Sequence, residues 1–195
     1  MNNTKKERLD ELLQVLVNEV PEAFKFHGEI AMRLFLNDVL YADERIEICV
    51  NRNNLSEVLR VIPNSFNIKV ENQEGDIISF PEDQCEQLAK VSVYDETQLL
   101  MRMMIYDIDD SDGMVRLNNN IKIPKKYIYY HSLKWNVDYI KPEFVLMQLL
   151  HEPVNKKKVS YYRDLIDKMS YFQFVTLKAT VGEEILQKVI MERST

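Results

Sequence analysis

Arg45 and Glu47 stand two positions apart in ERIEICV, residues 44–50. In a strand, successive side chains point to opposite sides. Arg45, Glu47 and Cys49 therefore share one face, and Ile46, Ile48 and Val50 share the other. A carboxylate at such a place can hold a divalent cation if other carboxylates join it. A cation beside it can instead take it as an ion-pair partner. Asp43 and Glu44 come just before. Asp43 shares the face of Glu47, but four strand residues separate them by about 13 Å, too far for one ion. If the loop at 41–44 folds back, Asp43 or Glu44 can replace a missing ligand. Upstream, His27 and Gly28 lie where a short apolar run (23–27) meets a helical pattern. The glycine thus opens a helix. Glu29 follows it, and its charge suits the helix dipole, by about 0.3–1 kcal/mol.

Positioning these groups takes a particular set of elements. Leu9, Leu12, Leu13, Leu16 and Val20 predict an amphipathic helix over 4–20, with Thr4 as N-cap and Pro21 as its stop. Ala23 to His27 reads as a strand. Ile30, Ala31, Leu34 and Phe35 predict a second helix from Gly28. A short helix spans Leu55 to Ile62 and ends before Pro63. Strands are expected at Phe66–Glu71, Ile77–Phe80, Leu99–Tyr106 and in part of Lys122–Tyr130. After Pro142 the pattern is helical, over 143–151, about 160–169 and about 172–191. The fold class is α/β, a small mixed β-sheet flanked by helices with a helical C-terminal part. The expected boundary divides residues 1–140 from 141–195.

The order helix, strand, glycine, helix, charged strand in FKFHGEIAMRLFLNDVLYADERIEICV resembles the nucleotidyltransferase superfamily. Downstream come YDIDDSDGMVRL, KIPKKYI, YIKPEFVLMQLL and KKKVSYYRDLIDKM. They resemble the aminoglycoside and lincosamide nucleotidyltransferase group, through Pro142-Glu143 and the Arg163-Asp164-x-x-Asp167 helix. The resemblance covers about residues 8–190. It implies transfer of a nucleotide from a nucleoside triphosphate to a small hydroxyl compound. Mg²⁺ would be held by an Asp-x-Asp pair and a third carboxylate from a neighbouring strand. Carried over residue by residue, it makes Gly28, Glu29 and Arg45 the nucleotide-binding positions. Glu47 is the catalytic and metal-holding carboxylate, with Asp43 and Glu44 as its substitutes. Three departures stand out. Glu29 replaces a small residue. The Asp-x-Asp reads Arg45-Ile46-Glu47. The strand at Leu99–Tyr106 offers Arg102 and no acid before Asp107. An arginine does not deprotonate to bind a metal. The alternative is a non-catalytic module of the same fold that binds a small molecule or a partner. Toxin–antitoxin and phage-defence nucleotidyltransferases share that fold.

Other groups have simpler readings. Asp107, Asp109, Asp110 and Asp112 lack calcium-loop spacing and read as a solvated turn. Lys156–Lys158 reads as a solvated loop. Tyr127–His131 and Trp135 read as packing aromatics, Met101, Met103 and Met104 as core filler, and His27 as a packed or capping residue. Arg163, Asp164 and Asp167 are expected to buttress the helical back against the front.

The 195 residues are 46% hydrophobic and 29% charged, enough for one compact core without a disulfide or metal staple. No apolar run approaches the ~18 residues of a membrane span. The opening MNNTKKERLD leads into charge and not into a signal-peptide core. Cys49 and Cys85 form no metal or redox spacing, so a cytoplasmic setting is expected. The net charge of −6 disfavours a nucleic-acid partner and leaves a nucleotide or other small molecule. The charge is polarised. Residues 1–120 hold 12 Lys/Arg against 23 Asp/Glu, and residues 121–168 hold 10 against 5. The basic back half is the expected place for an anionic ligand.

Overall fold

In the computed structural model, the described residues are 3–72, 77–78, 88–107, 114–116, 122–124, 127–151 and 158–191. Helix α1 (Asn3–Glu19) buries its leucine stripe, with Leu9, Leu12, Leu13 and Leu16 at most 4% exposed. Thr4 lies inside this helix and does not cap it. Strand β1 (Phe24–Phe26) is buried along its length and runs straight into α2 (Gly28–Asn37). Asp38 ends α2 in the left-handed region, its N–H donating to Leu34 O. Strand β2 (Ile46–Asn51) alternates buried and half-buried residues, as its sequence pattern requires. A tight turn, in which the Asn51 side chain accepts from Asn53 N, leads into α3 (Leu55–Val61).

Next come β3 (Asn67–Asn72), β4 (Ile77–Ile78), β5 (Leu88–Asp95) and β6 (Gln98–Tyr106). After them come β7 (Met114–Arg116), β8 (Lys122–Pro124), β9 (Tyr129–Ser132) and β10 (Val137–Ile140). Eight strands form one sheet in the order β4-β3-β5-β6-β2-β1-β10-β9, while β7 and β8 pair separately. The sheet is mixed, with β2 parallel to β6 and β1 parallel to β10. The chain ends in α4 (Pro142–His151), α5 (Val159–Lys168), α6 (Tyr171–Val181) and α7 (Glu183–Met191). This is the expected α/β class, with a larger sheet than the pattern suggested. No helix among the described residues is long and apolar enough to cross a membrane.

One sheet face is the core. Phe24, Phe26, Ile46, Ile48, Val50, Val91, Val93, Met101 and Met103 join the leucines of α1 and Ile30, Ala31 and Leu34 of α2. The opposite face carries Lys25, Glu47, Cys49, Arg102 and Met104.

Several elements differ from expectation. Strand β7 was not anticipated, and the strand expected over 44–50 begins only at Ile46, leaving Glu44 and Arg45 before it. Strand β5 was not anticipated either. It has three consecutive buried residues, Val91–Val93, and its charges are absorbed by Lys90–Glu71 and Asp95–Arg8 pairs. These pairs are invisible to a period-2 count. Strand β10 was also missed, because VDYI is too short to show alternation. The single helix expected over 172–191 breaks at Gly182, whose φ of +89° ends α6. Cys85, Asp109, Asp110, Asp112, Lys156 and Lys157 lie outside the described residues.

Candidate functional site

Gly28 opens α2 at φ +58°, a conformation that only glycine adopts cheaply. A Cβ placed there would meet Glu47 Oε2 at 1.9 Å and Glu47 Cβ at 3.2 Å. The Glu47 carboxylate thus lies directly on Gly28, at the positive end of α2. Backbone pairing fixes this approach, since His27 N donates to Glu47 O at 2.8 Å. The second oxygen of Glu47 accepts from Arg45 Nε at 2.8 Å. The ion pair expected between these two residues forms. Arg102 is the cross-strand partner of Glu47 in the β2–β6 ladder.

The remaining acids are each held by a cation. Arg33 reaches both Glu29, at 2.7 Å, and Asp43, and its guanidinium stacks 3.9 Å above the Tyr41 ring. Lys158, just before α5, lies 3.6 Å from Glu29 and 3.7 Å from Glu44. Burial pushes the nearby Tyr161 phenol up to about 12.

This arrangement does not fit Mg²⁺. The ion needs oxygen ligands at about 2.0–2.1 Å in near-octahedral order. Glu47 is engaged by Arg45 and pressed on Gly28. Asp43 and Glu44 are drawn toward Arg33 and Lys158, and Arg102 occupies the facing strand position. Among the described residues, no group of three or more His, Cys, Asp or Glu side chains could hold a metal ion.

His27 is packed. It caps α2 by its backbone position, with no side-chain cap bond. Burial lowers its imidazole from 6.5 to about 4, against the opposing pull of the Glu47 charge. The unfolded chain takes up this proton near pH 6.5, and the folded chain does not until about pH 4. The His27 contribution to stability is therefore complete above pH 6.5 and is lost as pH falls toward 4. The slope approaches ~1.4 kcal/mol per pH unit. Urea unfolding of His27→Gln across that window is expected to give a flatter pH dependence than the native chain.

Three features were missed in the sequence. Lys25 is 8% exposed and pairs with Asp138 at 2.5 Å, over the Tyr129 ring. Its signal was a lysine between two phenylalanines in a strand. Asp138 also meets His131 Nδ1 at 2.9 Å. Glu143, from the Pro-Glu motif, is buried and accepts from Gln173 Nε2 at 2.6 Å, tying α4 to α6. Burial raises its carboxyl.

Of the residues expected to buttress the helical back against the front, Arg163 donates to Val189 O of α7, and Asp164 and Asp167 are exposed. Lys168, donating to Leu36 O, ties α5 to α2. Of the aromatics expected to pack, Tyr130 and Trp135 do so, while Tyr127 and His131 are exposed. Tyr130 stacks on Phe35, and Trp135 Nε1 donates to Asp38 O at 2.9 Å. Asp107 belongs to no calcium loop among the described residues. Arg52 grips it at 2.6 Å and holds its carboxyl below the usual range.

No family model and no curated protein matches the sequence. Solved structures do match. ANT(2″)-Ia, solved in complex with adenylyl-2″-tobramycin, is similar over 92% of this chain and 97% of its own, with 11% identity and a TM-score of 0.56. The Megavirus polyadenylate synthase is similar over 86% of this chain, with 13% identity and a TM-score of 0.53. The chain spans 32% of that synthase's length. At such identities the likeness concerns the fold and not the chemistry. The chain is built on the nucleotidyltransferase fold.

Proposed function

We propose that this protein is a non-catalytic member of the nucleotidyltransferase fold, whose cleft binds a ligand without performing metal-dependent transfer. One observation carries the reading. The carboxylate that would hold the metal, Glu47, is paired with Arg45 at 2.8 Å and lies on Gly28. In the catalytic reading, Mg²⁺ would neutralise a triphosphate and a second carboxylate would assist the acceptor hydroxyl. Here the places for those groups are taken by arginines. Residues 1–140 then act as the binding domain, and residues 141–195 pack on it through α2.

The test is a transfer assay with labelled nucleoside triphosphates, Mg²⁺ or Mn²⁺, and a panel of small polyhydroxylated amines and sugars. No pyrophosphate release above buffer is expected. Release that disappears in Glu47→Ala contradicts the proposal and restores the enzyme.

A further inference from the structure

Glu143 is a buried carboxylate that no cation of the described residues pairs with. It is 3% exposed, and its Oε2 accepts from Gln173 Nε2 at 2.6 Å. Gln173 is itself held. Its side-chain oxygen accepts from Ser170 N, and its backbone N–H donates to Ser170 Oγ. The capping box of α6 thus fixes the carboxylate through an amide. One amide N–H meets one of the roughly four lone-pair sites that a carboxylate offers. Lys141 acts on Glu143 through space, while its ammonium sits 4.7 Å above the Tyr130 ring. A buried charge without a counter-charge is costly, and burial raises this carboxyl accordingly.

The carboxylate lines a cavity of about 490 Å³ where β9, α4 and α6 meet. Small-molecule sites span about 300–1,000 Å³. Tyr127, Tyr130, Phe144 and Phe172 supply its walls. Phe172 is 77% exposed and Tyr127 52%, so two of these rings stand open to solvent. Tyr130 belongs to the cross-strand row of Tyr139, Phe26 and Ile48. That row is on the sheet face opposite Glu47, so the cavity is separate from the Gly28–Glu47 seat. Aromatic faces carry negative charge density and attract cations. An anion would be repelled by Glu143, and a purely apolar ligand would leave its charge unmet. Aromatic walls around an uncompensated carboxylate suit a positive group on an apolar body.

We propose that this cavity binds a small organic amine, with its ammonium on Glu143 and its apolar body against Phe172 and Tyr127. The inference does not depend on how the Glu47 seat is read.

The experiment is calorimetric titration of the full chain at neutral pH with phenethylamine, hydrocinnamate and ethylamine. Saturable phenethylamine binding is expected in the low millimolar range or tighter. Glu143→Gln keeps the side-chain shape and an acceptor for Gln173 but removes the charge. It should weaken phenethylamine about tenfold or more, as for loss of a charge-assisted contact. Unchanged binding overturns the site. Should that variant not fold, Phe172→Ala decides, since its ring lies largely outside the core. Weakened phenethylamine binding in Phe172→Ala supports the site, and unchanged binding overturns it. Hydrocinnamate binding as tightly as phenethylamine overturns the cation assignment. Ethylamine binding as tightly overturns the role of the aromatic walls. No saturable phenethylamine binding overturns the inference and leaves the non-catalytic reading standing. Phenethylamine binding lost in Glu47→Ala but kept in Glu143→Gln places the amine at the other seat and overturns this one.

Discussion

Arg45→Asp combined with Arg102→Asp is expected to create a dependence on divalent cations that the native chain lacks. Both positions flank Glu47, Arg45 just before β2 and Arg102 across the ladder on β6. The native chain balances Glu47 with Arg45 inside the protein. The double variant removes both arginines and gathers three carboxylates on one sheet face. Without metal these repel, and like charges facing each other across strands cost about 0.2–1 kcal/mol per pair. With metal the sign reverses, because an ion that binds only the folded state stabilises it. At a hundredfold excess over its dissociation constant it contributes about 2.7 kcal/mol. For a chain of this size, that is a rise in Tm of about 5–10 °C. The variant should therefore melt below the native protein in EDTA and recover on adding Mn²⁺, and the native melt should not respond. A native shift as large as the variant's would mean that the seat already takes a metal.

Gly28→Ala is expected to be the most damaging small substitution in the front of the molecule. Two costs combine. A non-glycine residue at φ +58° costs roughly 1–2 kcal/mol in backbone strain. The new methyl group would also lie 1.9 Å from Glu47 Oε2, so the carboxylate must leave. Moving it breaks the pair with Arg45, a half-exposed contact worth about 1 kcal/mol or less. It also forfeits the helix-terminus interaction, ~0.3–1 kcal/mol. A total loss of about 2–4 kcal/mol is expected in urea unfolding. Glu47→Ala in the same chain should return part of it, because the contacts at 1.9 and 2.9 Å vanish while the one at 3.2 Å stays. A double-mutant cycle reads this coupling. Strict additivity would show that Glu47 does not sit on Gly28.

The site was more legible than the sheet. Arg45 and Glu47 stand two residues apart in an alternating segment, which puts them within reach of each other, although β2 itself begins only at Ile46. The apposition of Arg102 followed from treating Leu99–Tyr106 as the neighbouring strand, which is where β6 lies. The destinations of Asp43 and Glu44 were not legible. Their partners Arg33 and Lys158 come from α2 and the start of α5, and pairings across such distances leave no periodic trace. Lys25 was missed for the same reason, since Asp138 is supplied by a strand 113 positions later. In the sheet, β5 and β10 escaped because an interior strand and a four-residue strand lack clean alternation. The break at Gly182 depends on a backbone conformation that a helical hydrophobic pattern does not register.

The charge polarity also has a firmer meaning. The acids nominated in the front, Glu29, Asp43, Glu44 and Glu47, are offset by Arg33, Arg45 and Lys158. Lys158 comes from the basic stretch, so that surplus partly serves the front's own carboxylates.

The central claim is that an internal ion pair stands where a metal would be held. It is tested most directly by titrating ATP into the native chain in EDTA and again in excess Mg²⁺, with Glu47→Ala as the control. With Arg45 in the metal's place, Mg²⁺ is expected not to strengthen ATP binding. Saturable binding that appears only with Mg²⁺ and vanishes in Glu47→Ala would contradict the claim.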